Sequence, residues 1–267
     1  MRENRLRQLL NEGQPTFGTR VNSVWPTLTE IIGRSGQFDY VEFLAEYAPY
    51  SLHDLDNLGR AIQLSPGFCG MIKVEQSAQW NLAVRAMGAG IQNVLFTDIR
   101  SAADAEEVVR LVRAEGPGNS NTHGIANGRI WIDKPADFIR YYDEAVIAIM
   151  IEKREAYDNL DAILAVPGID LVQFGPSDYG LSTGQPGGAY ASGLHPEVHA
   201  AREDTMKRCI AAGVRPRAEI NSVEEADYYT ALGVKDFNLS SDLAVLRAFY
   251  TEQGRALRER VTATSSQ

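Results

Sequence analysis

Short apolar runs alternate with amphipathic segments along most of the chain. The apolar runs predict eight strands, at residues 16–21, 40–44, 68–74, 91–96, 146–151, 169–174, 214–220 and 235–239. Apolar residues at helical spacing predict helices at residues 5–12, 27–34, 52–63, 78–87, 102–113, 154–165, 196–212, 223–231 and 242–260. Strands alternating with helices in this number favour an α/β fold, a (β/α)8 TIM barrel with an N-terminal helix and a long C-terminal helix, over an open doubly wound sheet.

Composition narrows the class of protein. The chain has 267 residues, 44% of them hydrophobic and 23% charged, which suits one barrel domain spanning residues 1–267. The net charge is −9 and no segment concentrates Lys and Arg, which argues against nucleic acid or an anionic membrane as a partner. The N-terminus lacks an apolar signal-peptide core and no run reaches transmembrane length, so a cytoplasmic enzyme is expected. Cys69 and Cys209 lie among core-like residues, which predicts buried thiols rather than a disulfide or a nucleophile.

Two carboxylates follow neighbouring predicted strands. Glu152 comes directly after the strand at 146–151, and Asp178 follows the strand at 169–174. If these strands are parallel neighbours joined by a right-handed helical crossover, both acids lie at the same carboxyl-terminal edge. Hard oxygen ligands suit Mg²⁺ or Mn²⁺ better than Zn²⁺ when no His or Cys is near, with water or substrate completing the coordination. This spacing predicts half of a metal site.

A structural role for the same acids stays open at this point. An acidic residue just after a strand commonly caps the next helix, where it offsets unpaired amides and the helix dipole. Glu152 alone would be interpreted in that way. The pair is more informative, because Gly175 and Pro176 form a stiff turn that fixes the direction of Asp178.

The regular alternation breaks in two places. Residues 115–143 are rich in Gly, Asn and aromatic side chains, and residues 181–194 are rich in Gly. Loops of this length in a compact barrel commonly form lids, binding sites or subunit contacts, so we expect substrate specificity to depend on them. The final helix at 242–260 is long enough to reach a neighbouring subunit, and a solvated C-terminus is an equal alternative.

Several longer stretches carry a family resemblance that runs from about residue 6 to about residue 249. They are LLNEGQPTFGTRVNS, FDYVEFLAEYAP, MGAGIQNVLF, IMIEKREAYDNLDAILAVPGIDLVQFGPSDYGLSTGQPG and ALGVKDFNLSSDLAVLRAF. With these motifs the chain resembles the HpcH/HpaI family of class II, metal-dependent pyruvate aldolases, which includes 4-hydroxy-2-oxoheptanedioate aldolase and macrophomate synthase. The resemblance implies a (β/α)8 barrel and a homohexamer. It also implies that Glu152 and Asp178 bind a divalent cation, Mg²⁺ or Mn²⁺, which chelates pyruvate or another 2-oxo acid.

The resemblance also implies roles around the two acids. Ser177 matches the position where backbone amides receive the substrate carboxylate, and Gly175 and Pro176 shape that turn. Lys73 stands where the family has an arginine that holds the enolate oxygen. Tyr47 stands where the family has a histidine that acts as the general base.

The chain departs from the family pattern at further positions. Leu44 replaces the aspartate that supports the histidine, Met150 replaces a glutamine, and Gly88 replaces another aspartate. His123 takes the place of an arginine in the loop after the fourth strand, so it is a candidate for binding substrate. A tyrosine is a poor base near neutral pH, with an ordinary pKa near 10, unless Lys73 and the cation lower that pKa.

The sequence is compatible with three classes of function. The favoured one is a metal-dependent carbon–carbon lyase that releases pyruvate from a small 2-oxo acid by retro-aldol cleavage or decarboxylation, with Tyr47 and Lys73 as catalytic residues. A second is another reaction of the same enolate, such as hydration, dehydration or tautomerisation. The third is a non-catalytic barrel that keeps the metal site.

Overall fold

A computed structural model describes residues 3–74, 79–124, 135–185 and 195–264. Its eight strands pair in parallel and in chain order, and β8 pairs with β1 to close the barrel. The strands are β1 Thr16–Val21, β2 Tyr40–Leu44, β3 Cys69–Val74, β4 Asn93–Phe96, β5 Ile147–Ile151, β6 Leu171–Phe174, β7 Arg215–Ile220 and β8 Asp236–Ser241. The predicted α/β barrel is therefore confirmed.

Helices surround the barrel and cover one end of it. They are α1 Arg5–Asn11, α2 Pro26–Arg34, α3 Leu52–Gln63, α4 Gln79–Ala89, α5 Ala102–Val112, α6 Pro135–Asp143, α7 Arg154–Asp158, α8 Leu160–Leu164, α9 Pro176–Ser182, α10 Pro196–Ala211, α11 Glu225–Ala231 and α12 Asp242–Thr264.

Some predicted elements differ from the observed ones. The single helix predicted at 154–165 is two short helices, because Asn159 leaves the helical region with ψ of 7°. The turn expected at residues 175–178 opens helix α9, with Gly175 as its N-cap and Pro176 at its first position. The irregular stretch at 115–143 contains α6. Residues 125–134 and 186–194 of the two predicted loops lie outside the described residues.

Strands β2 to β6 are buried along their whole length because both of their faces are covered. On β5, the side chains of Ile147, Ile149 and Ile151 pack in the large cluster between strands and helices. Ala148 and Met150 alternate with them and belong to the cluster inside the barrel. In the sequence these strands were identified because their apolar runs do not alternate with polar residues.

The amino-terminal end of the barrel is closed by α1. Leu6 of this helix is fully buried in the interior cluster. Arg7 donates two hydrogen bonds of 2.6 Å to the carboxylate of Asp170, just before β6. Asn4 donates a hydrogen bond of 2.7 Å to Asn93 at the start of β4. A ligand must therefore approach the barrel from the carboxyl-terminal end of the strands.

One sector of the barrel interior is polar. Arg217 of β7 is completely buried, and its Nη1 lies 2.5 Å from a carboxylate oxygen of Glu42 on β2. The same guanidinium donates hydrogen bonds to Gln173 and Tyr40. Burial by itself would lower the pKa of Arg217, but the charges and hydrogen bonds of Glu42 and Tyr40 together outweigh it and the pKa is raised. Gly18 makes room for Tyr40 here, since a Cβ at that position would overlap the tyrosine ring.

Helix α12 leaves the barrel after its first turn. Asp242 ties its start to the loop after β1, accepting the N–H groups of Asn22 at 3.0 Å and Ser23 at 2.9 Å. Its apolar side chains are nonetheless exposed, at Leu243, Val245, Leu246, Phe249, Tyr250, Leu257 and Val261. Across the described helices none is both long and apolar enough to cross a membrane. Cys69 and Cys209 are buried free thiols, as predicted.

Candidate active site at the carboxyl end of the barrel

Glu152 and Asp178 both lie at the carboxyl-terminal end of the barrel. The last residue pairs of β5 and β6 are Met150 with Gln173 and Ile151 with Phe174, so the segments that follow are neighbours. Glu152 is 3% exposed, and one of its carboxylate oxygens accepts the backbone N–H of Asp98 at 2.8 Å. Asp178, in the first turn of α9, has a side chain that is 46% exposed. The structure therefore places one buried and one accessible carboxylate at the same edge.

The surroundings of Glu152 favour a cation. Burial is the main cause that raises the pKa of Glu152, and the negative charges of Asp178 and Glu46 raise it further. The N–H of Asp98 and the charge of Lys73 act in the opposite direction without cancelling this effect. A positive ion between the acids would relieve their repulsion and stabilise the ionised form of Glu152.

Gly175 packs so closely against Glu152 that only glycine fits at this position. A Cβ at this position would lie 2.7 Å from the Cβ of Glu152 and 3.0 Å from its Oε2. Within the described part of the chain, no group of three or more His, Cys, Asp or Glu side chains could hold a metal ion. Two carboxylates at one edge, one of them accessible, fit a hard divalent cation whose other ligands are water and substrate oxygens.

Lys73, Glu46 and Tyr47 form a charged cluster on the β2–β3 side of the same edge. Lys73 is 6% exposed; its Nζ lies 2.7 Å from a carboxylate oxygen of Glu46 and donates a hydrogen bond of 2.6 Å to the Tyr47 hydroxyl. Burial alone would lower the pKa of Lys73, but the charges and hydrogen bonds of Tyr47 and Glu46 raise it overall. Lys73 is therefore a fixed positive charge near Glu152.

Lys73 does not lower the pKa of Tyr47 below its ordinary value. Tyr47 is 60% exposed, yet its hydroxyl reaches inward to the buried ammonium group of Lys73. Burial of that end raises the pKa of Tyr47 to about 12, although Lys73 lowers it in part. The protein's own groups thus leave Tyr47 as a neutral phenol at neutral pH. It is suited to donate a proton rather than to remove one.

Ser177 and His123, two predicted substrate contacts, lie in very different places. Ser177 is in the first turn of α9, between Pro176 and Asp178 and at the same edge as the acids. His123 is 2% exposed, contacts the carbonyl of Leu111 at 3.2 Å and stacks on Tyr142 with ring centroids 3.8 Å apart.

The fold does not place His123 beside Glu152, Asp178 and Lys73. Leu111 is near the end of α5 and Tyr142 is just before β5, so His123 packs at the amino-terminal end of the barrel. Burial lowers the pKa of His123 to about 4, which keeps it neutral. His123 therefore lies outside the candidate site.

The structure adds to this edge charged residues that the sequence patterns did not identify. Lys153 lies 3.2 Å from a carboxylate oxygen of Asp178. Asp98, with a left-handed φ of 56°, lies beside Lys153 and pairs with Arg100 at 2.8 Å. Glu46 is the neighbour of Tyr47. Each of these residues closely follows a predicted strand, and that position was the available signal.

The fold and the clustered side chains define an enzyme-like (β/α)8 barrel with a candidate metal site at the strand ends. The family model described as HpcH/HpaI aldolase/citrate lyase matches residues 71–246. Hydroxypyruvate/pyruvate aldolase of Pseudomonas aeruginosa is 31% identical over 260 residues, which cover 96% of this chain and 91% of that protein. The chain therefore belongs to the HpcH/HpaI aldolase/citrate lyase family.

A second relative agrees with this assignment, and a solved structure shares the fold. The 2-keto-3-deoxy-L-rhamnonate aldolase of Klebsiella pneumoniae is 30% identical over 205 residues, covering 76% of this chain and 74% of that protein. A crystal structure of an HpcH/HpaI aldolase/citrate lyase family protein from Burkholderia cenocepacia has a TM-score of 0.86 at 23% identity, covering 96% of this chain and all of that one. The predicted family and enzyme class, an aldolase-type carbon–carbon lyase, are confirmed.

Proposed function

We propose that this chain is a divalent-cation-dependent lyase that releases pyruvate from a 2-oxo acid. The observation that carries the proposal is the Glu152 and Asp178 pair at one barrel edge, with the charged Lys73 close enough to affect the pKa of Glu152. The family membership supports it, since the Pseudomonas relative is named a hydroxypyruvate/pyruvate aldolase. Mg²⁺ or Mn²⁺ is favoured over Zn²⁺, because the proposed ligands are carboxylate oxygens.

The chain's own residues divide the remaining work. Glu152 and Asp178 would hold the cation, which when bound supplies electrophilic stabilisation of negative charge on a substrate oxygen. Lys73 places a fixed ammonium charge near the same point, where it would stabilise that oxygen as charge develops. Ser177, with Gly175 and Pro176 shaping its turn, would orient the substrate carboxylate.

Tyr47 decides between reaction types. Retro-aldol cleavage requires a base that takes the proton of the substrate hydroxyl, and a phenol with a pKa of about 12 is a weak candidate for that role. Decarboxylation needs no such base, and Tyr47 can then protonate the carbon that loses carbon dioxide. Dehydration is the second candidate function, because a leaving hydroxyl group requires a proton donor and Tyr47 carries its proton at neutral pH.

The test follows pyruvate from oxaloacetate and from 4-hydroxy-2-oxo acids in the presence of Mg²⁺ or Mn²⁺. We expect Lys73→Met to lower kcat/KM by about a hundredfold or more, because a preorganised charge beside the developing oxyanion is lost. Tyr47→Phe should lower kcat by about a hundredfold where protonation limits the rate.

Lys207→Met and Tyr228→Phe are matched controls, since both residues contact Glu203 on the outer surface. These controls should keep wild-type rates. Absence of pyruvate from every substrate with the wild type would contradict the proposed function. Wild-type rates in both Lys73→Met and Tyr47→Phe would remove these two residues from the mechanism. Loss of water from a hydroxylated acid without pyruvate release would select dehydration.

We place the functional unit in a homo-oligomer, with α12 in the interface. An apolar cavity of 480 Å³ lies on the outside of the barrel near β8 and β1, lined in part by Phe17, Phe38 and Phe237. The residues that line this cavity belong to elements other than α12, and α12 exposes apolar side chains of its own. A second copy of α12 seated in the cavity would cover both surfaces, and a hexamer is the assembly that the family resemblance favours.

Removal of all residues after Ser241 should dissociate this oligomer, because the helix that covers the partner is lost. Light scattering after size-exclusion chromatography at micromolar concentration measures the mass. Phe249→Asp tests the same contact with α12 still present, and Gln253→Asp is the control for an added charge on the same helix. A monomeric wild type, or an unchanged mass after both the truncation and Phe249→Asp, would contradict the assembly.

A further inference from the structure

Lys153 is a largely buried cation that the proposed chemistry does not use. It directly follows Glu152 at the carboxyl end of β5, and its side chain is 14% exposed. Its ammonium group donates a hydrogen bond of 3.2 Å to Asp178. In the structure Lys153 therefore neutralises the carboxylate that the proposed divalent cation requires.

The other acidic neighbour of Lys153 already has a cationic partner. Asp98 Oδ1 lies 3.9 Å from the Lys153 ammonium group, and Arg100 donates a hydrogen bond of 2.8 Å to the same oxygen. The N–H of Asp98 is held by Glu152, which keeps this loop in place. Asp98 thus offers Lys153 only a shared and more distant charge, so Asp178 is its main partner among the described residues.

Binding of a divalent cation by Glu152 and Asp178 would change the position of Lys153. The ion would take the carboxylate of Asp178 and repel the adjacent ammonium group. A largely buried ammonium group without a counter-charge is unfavourable, so it would favour an anionic group of the ligand. Lys73 does not share this requirement, because Glu46 pairs with it at 2.7 Å.

We propose that Lys153 is a specificity-determining residue that exchanges Asp178 for a second carboxylate of the substrate when the cation binds. The site then selects 2-oxo dicarboxylates over 2-oxo monocarboxylates. This inference rests on the proposed function, since it takes Glu152 and Asp178 as the ligands of the cation. It adds a substrate class that depends on one residue outside the cation-binding pair.

Ligand binding tests the selection without turnover. The probes are 2-oxoglutarate and 2-oxopentanoate, which have the same number of carbons and differ in the second carboxylate. Calorimetric titration into the Mg²⁺-loaded wild type should give about tenfold tighter binding of 2-oxoglutarate, as a buried charge pair formed with the ligand implies. Lys153→Met should bring the ratio of the two dissociation constants near one, and Lys153→Arg should keep most of it.

A separate titration with Mg²⁺ alone tests the exchange at Asp178. Lys153→Met should bind Mg²⁺ about threefold or more tightly than the wild type, because no ammonium group competes for Asp178. Lys207→Met is the control, since that lysine pairs with Glu203 and its side chain is 59% exposed. It should change neither the Mg²⁺ affinity nor the ratio of the two acids.

The outcomes separate the inference from the proposed function. An unchanged ratio in Lys153→Met, or weaker Mg²⁺ binding by that variant, would overturn the role of Lys153 while pyruvate release by the wild type still supports the lyase. If Lys153→Met does not fold, equal binding of the two acids by the wild type overturns the selection by itself. Failure of both acids to bind, together with no pyruvate release, would overturn the lyase as well.

Discussion

Asp178→Ala should abolish cation-dependent turnover and leave the barrel folded. We expect kcat/KM to fall by about a thousandfold or more, since a carboxylate that holds the cation would be lost from the reacting centre. The side chain of Asp178 is 46% exposed, and among the described residues Lys153 is the one largely buried partner that would lose its main counter-charge. Pyruvate release with Mg²⁺ or Mn²⁺ measures the activity, and circular dichroism checks the fold.

Asp158→Ala is the matched control for this variant. Asp158 ends the short helix α7, its side chain is 55% exposed, and it pairs with Arg154 on the surface. Its loss should leave both activity and Mg²⁺ affinity near wild-type values. Full activity or unchanged Mg²⁺ binding in Asp178→Ala would remove Asp178 from the metal site and leave Glu152 with the structural role of accepting the N–H of Asp98.

Glu42→Gln should be the most destabilising single change considered for the barrel interior. Arg217 is fully buried and remains charged, so removal of its counter-charge leaves an uncompensated ion inside the protein. Breaking a buried pair in this way costs about 3–5 kcal/mol in free energy of unfolding. Thermal unfolding at one fixed protein concentration measures the loss, because association of subunits would add its own contribution.

Two further variants test whether the loss of stability in Glu42→Gln comes from the buried ion pair. Glu30→Gln breaks a surface pair with Arg34, whose side chain is 73% exposed, and should change the free energy of unfolding by less than about 1 kcal/mol. The double variant Glu42→Leu with Arg217→Met removes both charges and should recover part of the stability. If Glu42→Gln lost no more stability than Glu30→Gln, the buried pair would not contribute as argued.

The strands were predictable because burial on both faces requires uninterrupted apolar residues. Runs such as the one at Ile147–Ile151 carry that requirement in the sequence alone. The break at Asn159 was not predictable from helical spacing, since apolar residues on both sides keep the same period. The helix α9 was also missed, because Gly and Pro at its start commonly indicate a turn.

Glu152 and Asp178 were identified from their positions after strands and from the family resemblance, and Lys73 from the resemblance alone. The barrel places all three at one edge. The prediction that His123 binds substrate was wrong. The loop after α5 has no periodic pattern that would indicate at which end of the barrel its residues lie. The pKa of Tyr47 depends on how deeply its hydroxyl is buried beside Lys73, which no sequence pattern reports.

The sequence by itself determined the eight strands, the enzyme family and the acids that follow the strands, because each of these is written in local apolar runs or contiguous motifs. Only the tertiary structure decided which charges meet. Lys153 with Asp178, Lys73 with Glu46, and Arg217 with Glu42 each join residues from separate elements. Ionic attraction and burial depend on distance in space, and closure of the barrel sets those distances.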